Sequence, residues 1–349
     1  MGVRITNIAY AVPSRRLTHD DLARRFGKEQ MDKTVLSTGI RERRVVPDGV
    51  CASDLAAHAA DALFSTQGVD AQTIDLLLFA TQTPDYLLPS TSCILQERLH
   101  LRKTTAAFDI NLGCSQYVYS LAVATAMIEA NMVEKALVMT GDTVSRIIHP
   151  LDRSVIPLFG DAGTATIVSR GAKNEGFISF DFGTDGAGAG SLIWPTSGLR
   201  LQRSEQTAEE RTDKSGSTRR QDDMFMDGTA IFMFTMRVIP ETIGRVLSKA
   251  NASLDDVDLF IFHQASKFIV DNAIRKLKIP AEKVHMKMED FGNSGGSTVA
   301  ICLADAIAKG RLKPGMKVVM SAFGVGLSWA STFCVWSADT SATALDFEC

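Results

Sequence analysis

The feature that most constrains the fold of this chain is a repeat of its own sequence. Residues 74–79 (IDLLLF) match residues 257–262 (VDLFIF) at an offset of 183 residues. At an offset of 181 residues, ALVMTG at 136–141 falls on KVVMSA at 317–322. Because the elements recur in the same order, the repeat indicates a duplicated unit rather than a chance match.

The repeated unit has an α/β pattern. Apolar runs of strand length alternate with amphipathic stretches of helical length, which is typical of a mostly buried sheet with helical crossovers. Each half therefore supplies one sheet, and helices pack between the two sheets. The chain is longer than the about 300 residues beyond which a single hydrophobic core rarely grows, so we expect two units. We place these halves at residues 1–175 and 176–349.

One stretch of the second half does not follow this pattern. Residues 200–223 (RLQRSEQTAEERTDKSGSTRRQDD) show no periodic apolar face and carry many charges. This composition predicts an exposed loop or flap between the halves. A solvated insertion without function and a functional flap both remain open.

The composition excludes several protein classes. With 45% hydrophobic residues, 22% charged residues and a net charge of -3, the chain is typical of a globular protein that coats no nucleic acid. There is no signal-peptide pattern and no uninterrupted apolar run of about 18 residues, so we expect a cytoplasmic protein without a membrane span. Six cysteines without paired ligand spacing argue against structural zinc and against a disulfide framework.

Cys114 is the first candidate catalytic residue. It lies in NLGCSQYVYS, where an apolar strand gives way to a helix. One face of that helix carries apolar or small residues, namely Val118, Leu121, Ala122, Thr125 and Ala126. At the first turn, unpaired backbone N–H groups and the helix dipole favour the thiolate, so Cys114 is a candidate nucleophile. The alternative is a buried cysteine that serves as a small hydrophobe.

His263 and Asn293 are the candidate partners of this cysteine. His263 ends the equivalent strand of the other half, in FIFHQASKF, and the duplication brings the two strand ends together. Asn293 lies between glycines in FGNSGGST, where its amide can donate to a developing oxyanion. Singly, a core histidine and a capping asparagine are the alternatives. Together, at equivalent turns of a duplicated fold, the three residues make a stronger signal than any one of them alone. The duplication and the HQAS and GNSGGST contexts do not suit a papain-like protease.

The motifs that contain these three residues are part of a longer match to a known protein family. The chain resembles, over essentially its whole length, the beta-ketoacyl-acyl carrier protein synthase III family of the thiolase superfamily. The matching segments are TGIRERRVV (38–46), PSTSCILQERL (89–99), FDINLGCSQYVYSLAVA (108–124), DRSVIPLFGDAGTATIV (152–168), HQAS (263–266), GNSGGST (292–298) and RLKPGMKVVMSAFGVGLSWAS (311–331). The resemblance implies the thiolase fold, in which duplicated α/β halves form a five-layer αβαβα sandwich.

The resemblance also implies a two-step condensation in fatty acid or specialised, polyketide-like acyl biosynthesis. Cys114 takes an acyl group from acyl-coenzyme A or an acyl-acyl carrier protein. Malonyl-acyl carrier protein then loses CO2 while His263 and Asn293 hydrogen-bond its thioester oxygen, and the enolate attacks the acyl group to give a 3-oxoacyl product. The backbone N–H of Cys114 and one N–H from the turn of Gly324, Val325 and Gly326 form the oxyanion hole. No metal and no redox cofactor are implied.

The resemblance also points to positions that contact the substrate in the family. Arg153, Phe159 and Gly228 match positions that line the family's pantetheine tunnel and acyl pocket. Leu88 replaces a residue that reaches across a homodimer to close the partner's acyl pocket. Lys33 and Ser37 stand where the family has a tryptophan and an arginine that hold the adenine of coenzyme A.

The nucleophile motif differs as well, because Gln116 and Tyr117 follow Cys114 where the family more often has small residues. We expect them to add bulk or polarity near the pocket and to favour a donor other than acetyl-coenzyme A. A basic helix surface is expected to dock the acidic carrier protein. Its residues are Lys267, Arg275, Lys276 and Lys278.

Two other functions remain open at this level. Some relatives keep the cysteine and histidine but transfer the acyl group to an oxygen or nitrogen nucleophile without decarboxylation. A catalytically silent subunit could instead complete a heterodimer, although the intact set of Cys114, His263 and Asn293 argues against this. Release of CO2 from the malonyl thioester separates the first alternative from a condensing enzyme.

Overall fold

The computed structural model describes residues 2–173, 175–337 and 340–348. Its α-helices are α1 (His19–Phe26), α2 (Lys28–Thr38), α3 (Ala52–Thr66), α4 (Thr91–Arg98), α5 (Gln116–Glu129), α6 (Gly228–Lys249), α7 (Lys267–Leu277) and α8 (Ser297–Ala308). Its strands are β1 (Gly2–Pro13), β2 (Arg16–Thr18), β3 (Glu42–Arg44), β4 (Leu76–Ala80), β5 (Ala106–Ile110), β6 (Lys135–Asp142), β7 (Ala162–Gly171), β8 (Gly176–Thr184), β9 (Leu192–Ile193), β10 (Arg211–Thr212), β11 (Thr218–Arg219), β12 (Phe225–Met226), β13 (Leu259–Phe262), β14 (Val284–His285), β15 (Lys317–Gly324), β16 (Ser328–Val335) and β17 (Ser341–Phe347).

The two large sheets repeat one topology. The first has the order β17-β1-β7-β6-β4-β5, and the second has the order β8-β16-β15-β13-β14 when read from its β8 edge. Apart from β17, each strand of one sheet has a counterpart at the same place in the other. In both sheets the two central parallel strands are followed by an antiparallel neighbour. The sequence repeat is therefore a repeat of the whole sheet.

Strand pairing refines the register of the repeat by one residue. Leu76 pairs with Ala136 in the first sheet, and Leu259 pairs with Val318 in the second. Ala136 is thus equivalent to Val318, whereas the sequence match aligned it with Lys317. A slip of one residue moves a side chain to the opposite face of a sheet. In the observed register, Ala136 and Val318 both face the same central core.

Successive side chains of each strand point to opposite faces of the sheet, and helices cover both faces. In β4, Leu76 and Leu78 face the core that contains α5 and α8, whereas Leu77 and Phe79 face the core that contains α3 and α4. The second sheet likewise faces α5 and α8 on one side and α6 and α7 on the other. The order of layers is therefore αβαβα, which confirms the expected thiolase fold.

The last strand departs from the division into halves at residue 175. Strand β17 belongs to the second half by sequence, yet it pairs in parallel with β1 at the edge of the first sheet. Arg44 Nη1 donates to Asp346 Oδ1 at 2.8 Å and ties this strand to the end of β3. The C-terminal residues therefore close one edge of the first sheet and leave β5 at the other edge.

The charged stretch at 200–223 is mostly exposed and contains the short hairpin β10–β11. It is also anchored to the body of the protein. Arg219 forms ion pairs with Asp152 at 2.7 Å and with Asp213 at 2.9 Å, and Ser217 is buried. The stretch thus packs against the turn that contains Arg153. In the described part of the chain, no helix has the length and apolar character needed to span a membrane.

Candidate active site

One cavity of about 350 Å³ brings the three candidate catalytic residues together. Cys114, His263 and Asn293 all line it, although they come from both halves of the chain. They meet because the strand ends and helix starts of the two halves face each other across α5 and α8. The remaining lining is mostly apolar and includes Leu158, Phe159, Leu192, Met226, Ile231 and Phe323.

The mouth of the cavity lies between α2, α6 and α7. Ser37, Gly228, Thr229 and Phe268 line the cavity and are exposed, whereas Cys114 and its partners are buried. The cavity is therefore a passage from the surface to a closed end that holds the thiol. This shape suits a ligand that reaches inward from a larger carrier.

Cys114 lies in a turn just before α5, which begins at Gln116. The backbone N–H groups of Val325 and of Cys114 itself face the thiol sulfur. A Cβ atom added to Gly324 would lie 2.5 Å from Cys114 Sγ, so only glycine permits this close approach of the turn. Glycine at this position thus lets the turn of the second half approach the nucleophile of the first.

Burial controls the ionisation of this thiol. It raises the pKa of Cys114 to about 11, the Asp142 carboxylate raises it further, and the two backbone N–H groups lower it by less. The backbone donors lower the pKa of Cys114 in the direction that the sequence predicts, but burial outweighs them, so the thiol is the favoured form in the free protein. Desolvation disfavours the charged form by more than the backbone donors stabilise it.

His263 follows β13 and is buried against Phe323, with the two rings edge to face at 5.7 Å between centroids. Burial lowers the pKa of His263 to about 3, so the imidazole is neutral at physiological pH. Its Nδ1 lies 2.6 Å from Thr298 Oγ1. The ring is thus held on one nitrogen, and within the described residues no hydrogen bond reaches Nε2.

Asn293 is held by its own backbone. Its N–H donates to Leu158 O at 2.8 Å, and its carbonyl accepts from Gly160 N–H at 3.0 Å. The side-chain Oδ1 accepts from Gly295 N–H at 3.1 Å. No described residue accepts a hydrogen bond from Nδ2, so this amide group is available to a ligand in the cavity, as the sequence interpretation requires.

Asp142, which sequence reasoning missed, lies behind the nucleophile. It ends β6 and is structurally equivalent to Gly324, so the duplication was the signal that could have found it. Its carboxylate accepts from Gln82 N–H at 2.8 Å and from Gln116 Nε2 at 2.9 Å. Burial raises the pKa of Asp142 to about 7. Its position also brings it against the backbone of Gly295.

Gln116 and Tyr117 do not line the cavity, so neither side chain contacts its interior directly. Gln116 is buried beside Asp142 and contacts the backbone at Gly296. Tyr117 lies in the central core, where its hydroxyl is 3.2 Å from Thr166 Oγ1. The first turn of α5 directs both side chains into the packing between the halves.

The other expected site residues are distributed around this cavity. Phe159, Gly228 and Gly324 line it, whereas Leu88 and Arg153 are absent from its lining. Gly326 follows Val325 in the turn after β15.

Leu88 and Arg153 have different surroundings. Leu88 is 87% exposed. Arg153 is partly buried beside Gly216 of the 200–223 stretch.

The positions expected to contact a nucleotide differ from one another. Ser37 lies at the mouth of the cavity, but the Lys33 ammonium forms an ion pair with Glu29 at 2.7 Å on the surface of α2.

The basic residues expected to dock the carrier protein are exposed on or just after α7, namely Lys267, Arg275, Lys276 and Lys278. Among the described residues, no group of three His, Cys, Asp or Glu side chains could hold a metal ion.

The pKa of Cys114 leads to a direct prediction. Because the thiolate is the reactive form and the pKa is about 11, the rate of Cys114 alkylation by iodoacetamide should rise about tenfold per pH unit between about pH 6 and pH 9. Peptide mass spectrometry measures this rate at Cys114 separately from the other cysteines, and Cys114→Ser is the control. A rate that levels off below about pH 8 would show a stabilised thiolate and contradict the prediction.

Comparisons with known proteins agree with this geometry. The family model described as 3-oxoacyl-(acyl-carrier-protein) synthase III matches residues 108–186, and the model for the C-terminal part of the same family matches residues 247–336. The beta-ketoacyl-(acyl-carrier-protein) synthase III of Caldanaerobacter subterraneus subsp. tengcongensis is 34% identical over 327 residues, which cover 93% of this chain and 95% of the relative.

Solved structures show the same relationship. A crystal structure of a 3-oxoacyl-(acyl-carrier-protein) synthase III has a TM-score of 0.94 and 38% identity over 96% of this chain and 100% of its own. The 3-oxoacyl-(acyl-carrier-protein) synthase from Burkholderia xenovorans LB400 has a TM-score of 0.90 and 32% identity over 99% and 97% of the two chains. With its cysteine, histidine and asparagine at one buried end of a cavity, the chain therefore belongs to the beta-ketoacyl-acyl carrier protein synthase III family, the acyl-transferring condensing enzymes of the thiolase fold.

Proposed function

We propose that this chain condenses an acyl thioester with malonyl-acyl carrier protein through an acyl-Cys114 intermediate and releases CO2 and a 3-oxoacyl product. The observation that carries the proposal is the convergence of Cys114, His263 and Asn293 at the buried end of one cavity. A nucleophile, a neutral imidazole and a free amide donor meet there. Each has a role in one of the two half-reactions.

In the first half-reaction, Cys114 attacks the carbonyl carbon of the donor thioester. The N–H groups of Cys114 and Val325 already face the sulfur, which supports their role as donors to the oxyanion that forms on the attacked carbonyl. Such a donor contributes roughly 3 to 4 kcal/mol in comparable sites. Because the thiol is neutral in the free protein, the reaction also requires an acceptor for its proton, and His263 lines the same cavity.

In the second half-reaction, malonyl-acyl carrier protein binds at the acylated site and loses CO2. The electron pair that remains forms an enolate, whose oxygen requires hydrogen-bond donors. Asn293 Nδ2 is unoccupied among the described residues and supplies one of them. The resemblance assigns the same role to His263, and the tautomer of its ring decides whether it can donate.

The passage from the surface supports a substrate carried on a pantetheine arm. Its apolar lining and exposed mouth suit a thin chain whose thioester reaches Cys114. At the mouth, Ser37 offers only a hydroxyl, and the Lys33 ammonium is paired with Glu29. Neither residue gives an adenine the aromatic platform that the family uses, so both acyl-coenzyme A and acyl-acyl carrier protein are candidate donors.

Intact-protein mass spectrometry tests this function. The wild-type protein is incubated with a panel of acyl-coenzyme A and acyl-acyl carrier protein thioesters, and malonyl-acyl carrier protein is then added. We expect a mass gain equal to the acyl group on the wild type and none on Cys114→Ala, followed by loss of the acyl group with release of CO2.

The other outcomes are equally informative. Acylation that malonyl-acyl carrier protein cannot discharge would favour transfer to an oxygen or nitrogen nucleophile. Absence of acylation by every donor would contradict the proposal and favour a silent subunit.

We further propose that the acidic carrier protein docks on α7 next to the mouth of the cavity. The exposed basic residues are Lys267, Arg275, Lys276 and Lys278. Lys267 lies between Ser266 and Phe268, which both line the cavity. Opposite charge at such a rim accelerates association and orients the partner.

Charge reversal tests the docking surface. We expect Lys267→Glu combined with Lys278→Glu to raise the KM for malonyl-acyl carrier protein by about tenfold or more. The kcat with a malonyl thioester of a short pantetheine analogue should not change, because that substrate has no protein partner. The matched control is Lys103→Glu with Lys173→Glu, since both lysines are exposed and lie outside α7. An equal effect of both pairs would contradict docking on α7.

We also propose that two copies of the chain form a homodimer through β5. Among the described strands, β5 pairs with β4 alone, and its other edge is open. Phe108 on β5 is 38% exposed, and the nearby loop exposes Tyr86, Leu87 and Leu88 at 62%, 72% and 87%. An open strand edge beside exposed apolar side chains favours pairing with another copy. In such a dimer Leu88 can close the acyl pocket of the partner.

The oligomeric state tests this interface. We expect a dimer for the wild type and a monomer for Phe108→Glu, because the new carboxylate would be buried without a partner. Size-exclusion chromatography with light scattering measures the mass of each. Leu199→Glu is the matched control, since Leu199 is 84% exposed on a different loop. A monomeric wild type would contradict the proposal.

The cytoplasmic location and the absence of a metal or redox cofactor stay predictions.

A further inference from the structure

The carboxylate of Asp142 joins the two turns that carry candidate catalytic side chains. Asp142 ends β6, is buried and is absent from the cavity lining. Its Oδ2 accepts from Gln116 Nε2 at 2.9 Å, in the first turn of α5 after Cys114. The carboxylate also accepts from the backbone N–H of Gly296, which directly precedes α8. One side chain therefore contacts both the turn of the nucleophile and the turn of Asn293.

The other partners of this carboxylate come from the loop after β4. Its Oδ1 accepts from Gln82 N–H at 2.8 Å and from Thr81 Oγ1 at 3.3 Å. The Thr81 oxygen already accepts from Thr83 N–H at 3.0 Å, so its hydroxyl hydrogen is available to Asp142. An ionised carboxylate can only accept, and it has about four lone-pair sites. The four donors around Asp142 therefore match its charged form.

Glycine before α8 lets the two turns approach this carboxylate closely. A Cβ atom at Gly295 would lie 2.6 Å from Asp142 Oδ2, and one at Gly296 would overlap the Gln116 side chain. Gln116 Oε1 is buried and has no hydrogen-bond partner among the described residues. If the two amide atoms of Gln116 exchanged places, Oε1 would face the carboxylate and the two acceptors would repel each other. The carboxylate therefore fixes the orientation of this amide.

Protonation would break this arrangement. A neutral carboxyl group carries one O–H donor, whereas all four partners already donate to Asp142. One contact would then join two donors, and that partner would lose its acceptor. Burial raises the pKa of Asp142 to about 7, so the carboxylate predominates above this pH and the neutral form below it. The titratable group that faces it is the Cys114 thiol, and its partners from the loop after β4, from α5 and from the turn before α8 are uncharged.

We propose that Asp142 is a positioning residue whose ionised carboxylate, through Gln116 on one side and Gly296 on the other, holds the turn of Cys114 against the turn of Asn293. This inference rests on the proposed function and deepens it, because it names what sets the distance between the nucleophile and the amide donor. Its charge has a second effect. It raises the pKa of Cys114 and so adds to the effect of burial on the thiol.

The pH dependence of condensation tests the role of the carboxylate. The wild type and Asp142→Asn are acylated, and CO2 release from a malonyl thioester of a short pantetheine analogue is measured between about pH 5.5 and pH 8.5. We expect the wild-type rate to fall severalfold below about pH 7. His263 does not cause this fall, because burial lowers its pKa to about 3, and acylated Cys114 has no ionisable thiol.

The Asp142→Asn variant should differ in both rate and profile. Asparagine keeps the shape but has a single acceptor oxygen, so its NH2 group must face donors. We expect its decarboxylation rate at about pH 8 to be about tenfold or more below that of the wild type, because small displacements of positioned groups cost large factors in rate. The fall below about pH 7 should be absent, since the variant has no carboxyl group to titrate.

Alkylation of the free protein tests the contact with the sulfur. At about pH 8, iodoacetamide should modify Cys114 about threefold faster or more in Asp142→Asn than in the wild type, because a negative charge near the thiolate is lost. Peptide mass spectrometry also gives the rates at Cys302 and Cys334, which are buried in the central core. A loosened structure would expose these cysteines as well, so we expect their rates not to rise.

Two further variants serve as comparisons. Gln116→Leu keeps the carboxylate but removes one donor, so it should slow decarboxylation without faster alkylation of Cys114. Asp181→Asn is the matched control, because Asp181 is also a buried carboxylate but lies on β8, where it pairs with Arg245 and Lys249. It should leave the pH profile of decarboxylation and the alkylation of Cys114 unchanged.

The outcomes separate this inference from the proposed function. Equal decarboxylation by the wild type and Asp142→Asn, or an equal rise in alkylation at all three buried cysteines, would overturn the role of Asp142 and leave the function intact. If Asp142→Asn does not fold, the wild-type profile and Gln116→Leu still decide, since a wild-type rate that does not change near pH 7 would overturn the role. A wild type that no donor acylates would instead overturn the function.

Discussion

The structure depends on two helices that are buried between two sheets. Helices α5 and α8 have apolar or small side chains on nearly every face, and the central core contains residues of both helices and of both sheets. A helix that is apolar all round requires neighbours on all sides. Neither half can bury its own central helix alone, so the two halves must pack face to face. That packing places the turns before α5 and α8 next to each other.

The site is a consequence of this arrangement. The turn before α5 carries Cys114, and the turn before α8 carries Asn293. The strand ends of the second half add His263 and the glycine turn that approaches the sulfur. Because these groups lie at the end of a buried layer, water has little access to them. The site is therefore built from neutral groups with unoccupied hydrogen-bonding positions, which become satisfied when a thioester enters.

Desolvation explains the electrostatics of the site. It raises the pKa of Cys114, lowers that of His263 and raises that of Asp142, and in each case the neutral form is favoured. Hydrogen bonds from the backbone and from Gln116 oppose this effect without reversing it. The thiol of Cys114, the candidate nucleophile, is therefore protonated at physiological pH in the free protein.

The sequence alone determined the duplication, the α/β class and the three candidate catalytic side chains that line one cavity. These follow from short-range patterns, such as apolar runs and glycine-flanked polar residues, and from the repeat that places strand ends together. The tertiary structure alone decided the register, in which Ala136 corresponds to Val318, because a one-residue slip is visible only from which face is buried. It also decided that Gln116 and Tyr117 pack between the halves and that β17 joins the first sheet. Only the tertiary structure decided the ionisation of Cys114 as well. Its pKa is a balance between burial and a few backbone donors, and this balance depends on distances between residues that are far apart in the chain.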